Sequence, residues 1–145
     1  MENAVEGAYW SAFGTAGQRC TSLGNLIIHE EIYDEFVEKL MAKVKSTTIG
    51  DSMAHEGVLY GPMLSEKYAV DFLKGIDMCE ASGATKLWGN GRVSSGNQPD
   101  NFLGNPEDGV FMWPHVYADV TEEMECFHEE IFGPVVTLVK AKDFD

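Results

Sequence analysis

Apolar residues recur near the start of the chain at Ala4, Val5, Ala8, Tyr9, Ala12 and Phe13, a spacing that places them on one face of a helix. The stripe stops where Gly14 and Gly17 arrive, so Cys20 falls just beyond the helix, in a loop. The run NLIIH, residues 25–29, is short, apolar and bounded by Gly24 and by charges, and it predicts a buried strand. A helix follows at once, with Ile32, Phe36, Val37, Leu40, Met41 and Val44 on its apolar face, acids early and Lys43 and Lys45 late, as the helix dipole favours.

Residues 49–64, IGDSMAHEGVLYGPML, are rich in glycine and polar side chains and read as a surface loop. Ser65 is placed to cap a further helix whose buried face is Ala69, Phe72, Leu73, Ile76 and Cys79, with Gly83 as its left-handed terminator. A strand is expected at ATKLWG, residues 84–89, then turns or a mobile hairpin loop through Gly109. VFMWPHVYADV, residues 110–120, reads as an extended strand interrupted at Pro114. The acidic stretch TEEMECFHEE and a last strand, VVTLVKA at 135–141, close the pattern. Strands alternating with helices predict an α/β class with a largely parallel sheet flanked by helices, and Pro114 with the glycine-rich loop marks an antiparallel excursion.

Composition narrows the function. The chain has 145 residues, 44% of them hydrophobic, the size of one domain or a large piece of one. Twenty-four acids against ten bases give a net charge of −14, which repels phosphate backbones and anionic lipid, so neither nucleic acid nor a membrane is expected as a partner. Three widely spaced cysteines, Cys20, Cys79 and Cys126, without a CxxC pair, suggest neither a disulfide framework nor a zinc site. The acids of residues 121–130 lack the ligand spacing of a calcium or magnesium loop, and no metal is expected. No apolar run has bilayer length and MENAVEGAYW is not a leader, which together with the cysteine usage suits a cytoplasmic, reducing setting.

Two segments could carry chemistry. Cys20 sits among small residues beside Arg19, where access and a positive neighbour favour a thiolate nucleophile. The competing reading is an inert buried cysteine, and a Cys–His pair with His29, His55, His115 or His128 also stays open. EEIFGP, residues 129–134, reads on its own as an acidic turn with a buried phenylalanine and a proline stop. WGNGRVSSGN lacks the GxGxxG context and the lysine of a phosphate loop and reads as a hairpin turn. Cys79 and Cys126 are assigned to structure, and Trp10, Trp88 and Trp113 to the core or its rim.

GQRCTS with its preceding helix, the GP of LYGPML and above all EEIFGPVV together resemble the catalytic-domain signatures of the aldehyde dehydrogenase superfamily. GTAGQRCT and VLYGP further resemble the branch acting on α-aminoadipic semialdehyde. The resemblance runs through residues 1–145 and implies part of that family's catalytic domain. It implies oxidation of a small aldehyde to a carboxylic acid through a thiohemiacetal and a thioester on Cys20, whose backbone N–H helps hold the oxyanion. Arg19 and Thr21 then flank the substrate tunnel, Glu130 clamps the nicotinamide ribose and Phe132 packs beside the nicotinamide. NAD or NADP is implied for the full-length enzyme, with none bound by this chain alone, and a homo-oligomer is expected. The general-base glutamate and the oxyanion-hole asparagine fall outside the nineteen residues ahead of Cys20, as does the NAD(P)-binding domain, and the C-terminal end is cut as well. The expectation is therefore a catalytic-domain fragment, inactive by itself; a non-enzymatic association module that keeps the fold is the alternative.

Overall fold

The computed structural model describes residues 1–143. The first helix, α1 (Glu2–Phe13), buries Val5, Ala8, Ala12 and Phe13, the inner part of the predicted stripe, while Ala4 is exposed. Strand β1 (Asn25–His29) matches the predicted run residue for residue and leads into α2 (Glu30–Lys45), whose first turn carries Glu30 and Glu31 and whose last carries Lys43 and Lys45. The buried face of α2 is Tyr33, Phe36, Leu40 and Val44. Tyr33 takes the inward place expected for Ile32, which is 43% exposed, since the buried row of α2 runs Tyr33, Phe36, Leu40 and Val44; Lys140 stands over the tyrosine ring, 4.4 Å from its centroid.

Residues 49–64 depart from a plain surface loop. A two-residue strand, β2 (Ile49–Gly50), begins the segment, and Tyr60 and Met63 are buried, with the Tyr60 hydroxyl donating to the carbonyl of Met112 at 3.0 Å. Helix α3 (Glu66–Ala81) starts after Ser65, whose side chain makes no capping hydrogen bond, and ends before Gly83 at φ +93°. Strand β3 (Thr85–Trp88) follows, and the glycine-rich stretch after it is anchored by a short β4 (Phe102–Leu103) that pairs in parallel with β2. Strand β5 (His115–Ala118) is the part of the predicted 110–120 strand that lies beyond Pro114. A single-turn α4 (Glu125–His128) and the long β6 (Val135–Ala141) complete the described chain.

The main sheet has the order β1-β6-β5-β3. β1 and β5 flank β6 in parallel, while β3 pairs antiparallel with β5, the excursion that the proline and the glycine loop announced. β6 is central and its first four residues are buried. β1 lies at the edge and is only half covered: Ile28 is buried but Ile27 is 61% exposed, which corrects the expectation of a buried strand. Leu138, Val116 and Tyr117 of the sheet pack with Phe13, Leu40 and Phe72 of the helices into one core. Among the described residues no helix is long and apolar enough to cross a membrane.

Candidate functional site

Cys20 is held by a short, unusual piece of backbone. Directly after α1 the chain turns through Thr15, Ala16 and Gly17 at φ 59°, 56° and 63°, three successive residues in the left-handed region. For Thr15 and Ala16 that conformation costs about 1–2 kcal/mol each, so the surrounding packing must enforce it. A tight turn from Arg19 to Ser22, closed by a 2.9 Å backbone hydrogen bond, then presents Cys20 and Thr21 to solvent. Two further bonds fix the loop: the Gln18 side-chain carbonyl accepts from the backbone N–H of Leu64 at 2.8 Å, and Leu23 N–H donates to Ser11 at 3.1 Å. The Leu64 bond ties the GPML segment to the cysteine loop.

The EEIFGP segment reaches the same place from the other side of the sheet sequence. α4 leads into it, and Asn25 at the head of β1 donates its side-chain amide to the carbonyl of Phe127 at 2.8 Å while accepting from the Thr137 hydroxyl. Gly17 lies against Gly133 so closely that a β-carbon at Gly17 would overlap the Gly133 carbonyl. Two motifs more than a hundred residues apart in the chain therefore touch backbone to backbone, an approach open only to glycine. A cleft of about 240 Å³ opens beside this contact and includes Arg19, Ser22, Asn25 and Glu130. A second cleft of about 360 Å³ is lined by Glu130 and Phe132 together with Tyr68, whose ring centroid is 6.1 Å from that of Phe132.

Arg19 and Glu130 thus share one cleft, Glu130 and Phe132 share the next, and Cys20 with Thr21 occupies the turn between the cleft residues Arg19 and Ser22 without lining either space. Ser22, whose hydroxyl is buried without a hydrogen-bond partner among the described residues, and Asn25 join the cleft without a sequence-predicted role, Ser22 as the last residue of GQRCTS and Asn25 outside either motif. For Asn25 the available signal was a polar residue at the head of an otherwise apolar strand.

The other thiols differ sharply from Cys20, the one exposed cysteine of the three. Cys79 and Cys126 are buried, and burial, reinforced by the neighbouring Cys126, pushes the Cys79 thiol up to about 12, so it stays protonated and inert. Three of the four histidines are engaged away from Cys20. His115 is buried and lowered to about 4 by desolvation; its Nδ1 faces the carbonyl of Trp113 at 2.8 Å and its Nε2 accepts from Gly91 N–H at 3.1 Å. His128 donates Nε2 to the carbonyl of Glu122 at 2.6 Å, and His29 caps α2 at the opposite end of β1 from Cys20. These hydrogen bonds pair none of His29, His115 and His128 with Cys20.

Fold and site together define a cysteine-loop α/β domain in which a free thiol stands beside an acidic, aromatic cleft segment. The chain belongs to the aldehyde dehydrogenase family, whose profile matches residues 1–145. It is 40% identical over 133 residues, or 92% of its length, to an α-ketoglutarate semialdehyde dehydrogenase from Haloferax volcanii, and 34% identical over its whole length to a 1-pyrroline-5-carboxylate dehydrogenase from Bacillus subtilis. The chain spans about a quarter of the length of each of these relatives, 25% in both cases. Among solved structures it superposes on a putative methylmalonate-semialdehyde dehydrogenase from Sinorhizobium meliloti complexed with NAD, with a TM-score of 0.85 and 26% identity over 98% of this chain and 27% of that one. A betaine aldehyde dehydrogenase from Staphylococcus aureus in complex with NAD⁺ gives the same TM-score, 0.85, at 29% identity, covering 98% of this chain and 26% of that one.

Proposed function

We propose that residues 1–145 form part of the catalytic domain of an NAD(P)-dependent aldehyde dehydrogenase, with Cys20 as its nucleophile. The observation that carries this reading is the contact of Gly17 with Gly133, which sets the loop of the exposed thiol against the segment bearing Glu130 and Phe132. The Cys20 thiolate attacks the aldehyde carbon: a carbon–sulfur bond forms and the carbonyl electron pair moves to oxygen, giving a thiohemiacetal. The Cys20 backbone N–H faces that developing oxyanion and Arg19 and Thr21 border the approach of the substrate. NAD or NADP, when bound, supplies the two-electron acceptor. Cys20 then carries the acyl group as a thioester until water releases the carboxylic acid and the free thiol.

The residues present fit such a cofactor. Glu130 is exposed and opens onto both clefts, and a carboxylate that only accepts hydrogen bonds suits the two hydroxyls of a ribose. Phe132, half-buried against Tyr68, offers an aromatic wall for a flat ring. On its own the chain keeps the nucleophile and is proposed to oxidise no aldehyde. Its three free cysteines suit a reducing, cytoplasmic setting, and a homo-oligomer is part of the same proposal. The exposure of Trp10 and Leu64, at 53% and 77%, on either side of the cysteine loop favours a second reading, in which this face serves association rather than chemistry.

The test is production of NADH or NADPH from a panel of aldehydes, expected to be nil for residues 1–145 alone and dependent on Cys20 in a form that also carries a dinucleotide-binding domain, with Cys20→Ala as control and the oligomer size in solution measured alongside. Turnover that survives Cys20→Ala contradicts the nucleophile assignment. Association without thiol-dependent chemistry in any form of the protein favours the second reading.

A further inference from the structure

The EEIFGP segment rests on one face of α3, and the contacts follow the helical repeat. Tyr68, Phe72, Gly75 and Cys79 are spaced four, three and four residues apart, which puts them in one row. Tyr68 meets the ring of Phe132, Phe72 fills the space that a side chain on Gly133 would need, Gly75 receives Ile131, and Cys79 lies beside the thiol of Cys126. Every member of the row thus touches the stretch from α4 to Gly133, and Glu130 lies within that stretch.

Gly75 is the informative member. It is buried in the interior of a sixteen-residue helix, where glycine weakens the helix and where a packing reason for it is expected. The reason is visible: a β-carbon at position 75 would lie 2.5 Å from Cγ2 of Ile131, 3.1 Å from its Cγ1 and 3.3 Å from its Cβ. The whole branched head of Ile131 occupies the notch. With Cγ2, Cγ1 and Cβ all within 3.3 Å, a side chain at 75 presses on the base of the Ile131 side chain, next to its backbone neighbours Glu130 and Phe132.

We propose that Gly75 is a positioning residue: the notch it leaves in α3 seats Ile131 and thereby sets where Glu130 and Phe132 meet the nicotinamide cofactor. The role given to Gly75 rests on the reading of those two residues as cofactor contacts, while the seating of Ile131 stands independently of it.

The experiment compares Gly75→Ala, Ile131→Ala, the double variant and Glu130→Gln by two readouts: amide hydrogen exchange of residues 127–135 without cofactor, where the amides of Phe127, Glu129 and Val135 are hydrogen-bonded, and the dissociation constant and KM for NAD and NADP in a form of the protein that also carries a dinucleotide-binding domain. Gly75→Ala, which favours the helix itself, is expected to speed exchange across 127–135 and to weaken dinucleotide binding by about tenfold, the equivalent of about one lost hydrogen bond. Adding Ile131→Ala empties the contact and is expected to restore both readouts most of the way to wild type, a rescue that a general loss of helix packing does not give. Unchanged exchange in Gly75→Ala, or a double variant no better than Gly75→Ala alone, overturns the proposal. If Glu130→Gln leaves NAD and NADP binding untouched, or no form binds either dinucleotide, the role at the cofactor is overturned, while exchange still decides whether Gly75 seats Ile131.

Discussion

Replacing Gly17 by alanine strikes the contact on which the candidate site depends. Two costs add. The residue is at φ +63°, a conformation that costs an alanine about 1–2 kcal/mol. The new β-carbon also overlaps the Gly133 carbonyl and approaches the Ala12 carbonyl at 3.1 Å, and since both obstacles are backbone, no side chain can swing aside. Relief requires the cysteine loop and the Gly133 segment to part by ~1 Å, and a shift of that size at a reacting centre costs about 10²-fold in rate. Strain and lost packing together come to about 3 kcal/mol, or roughly 10 °C in melting temperature for a domain of this size. Thermal unfolding and the rate of Cys20 acetylation by p-nitrophenyl acetate, a reaction that develops an oxyanion beside the thiol, measure the two effects. Gly7→Ala is the control: Gly7 lies within α1 with nothing inside 4 Å of an added β-carbon, so alanine there stabilises by about 0.5–1 kcal/mol. A Gly17→Ala protein that melts with the wild type and labels at the same rate refutes the backbone contact.

Other expectations concern the surroundings of the site. His115 is held neutral in the fold, with its value lowered from 6.5 to about 4, so the unfolded chain takes up a proton that the folded chain refuses. The stability from this group is complete above about pH 6.5 and is lost as pH falls toward 4, about 3 kcal/mol over the window; urea midpoints across that range should show a shallower slope in His115→Gln, and an identical slope defeats the assignment. Asn25→Ala leaves the Phe127 carbonyl without its side-chain donor and is expected to cost about 1–3 kcal/mol and to speed amide exchange in α4, whereas protection equal to wild type contradicts its bracing role. Tyr60→Phe, which deprives the buried Met112 carbonyl of its hydroxyl donor, should cost about 1 kcal/mol in chemical denaturation, and a neutral result counts against that bond.

The elements legible in the sequence are those long enough to show a period. α1, α2 and α3 each keep an apolar row over three turns or more, and β1 and β6 are short, mostly apolar stretches, LII within NLIIH and VVTLV within VVTLVKA, so their positions follow from local pattern. β2 and β4 have two residues apiece and exist because Gly50 lets the Leu103 backbone approach, a tertiary fact without a local signal. The half-covered state of β1 is equally non-local, since Ile27 and Ile28 look alike in sequence but point to opposite faces of the sheet, and only the packing of the fold covers the face of Ile28. At the site, the glycines placed Cys20 in a loop and the family resemblance marked Arg19, Thr21, Glu130 and Phe132. The meeting of Gly17 with Gly133, the brace at Asn25 and the notch at Gly75 depend on chain segments that come together only in the fold.

The central claim, that Cys20 is the reacting thiol of this domain, is tested most directly by treating the protein with p-nitrophenyl acetate and mapping the acetyl group by mass spectrometry of its peptides. The account predicts acetylation on the peptide containing Cys20, its loss in Cys20→Ala, and unlabelled Cys79 and Cys126, whose thiols are buried. An acetyl group on another residue that persists in Cys20→Ala, or a Cys20 that stays unmodified while Cys79 or Cys126 reacts, would contradict it.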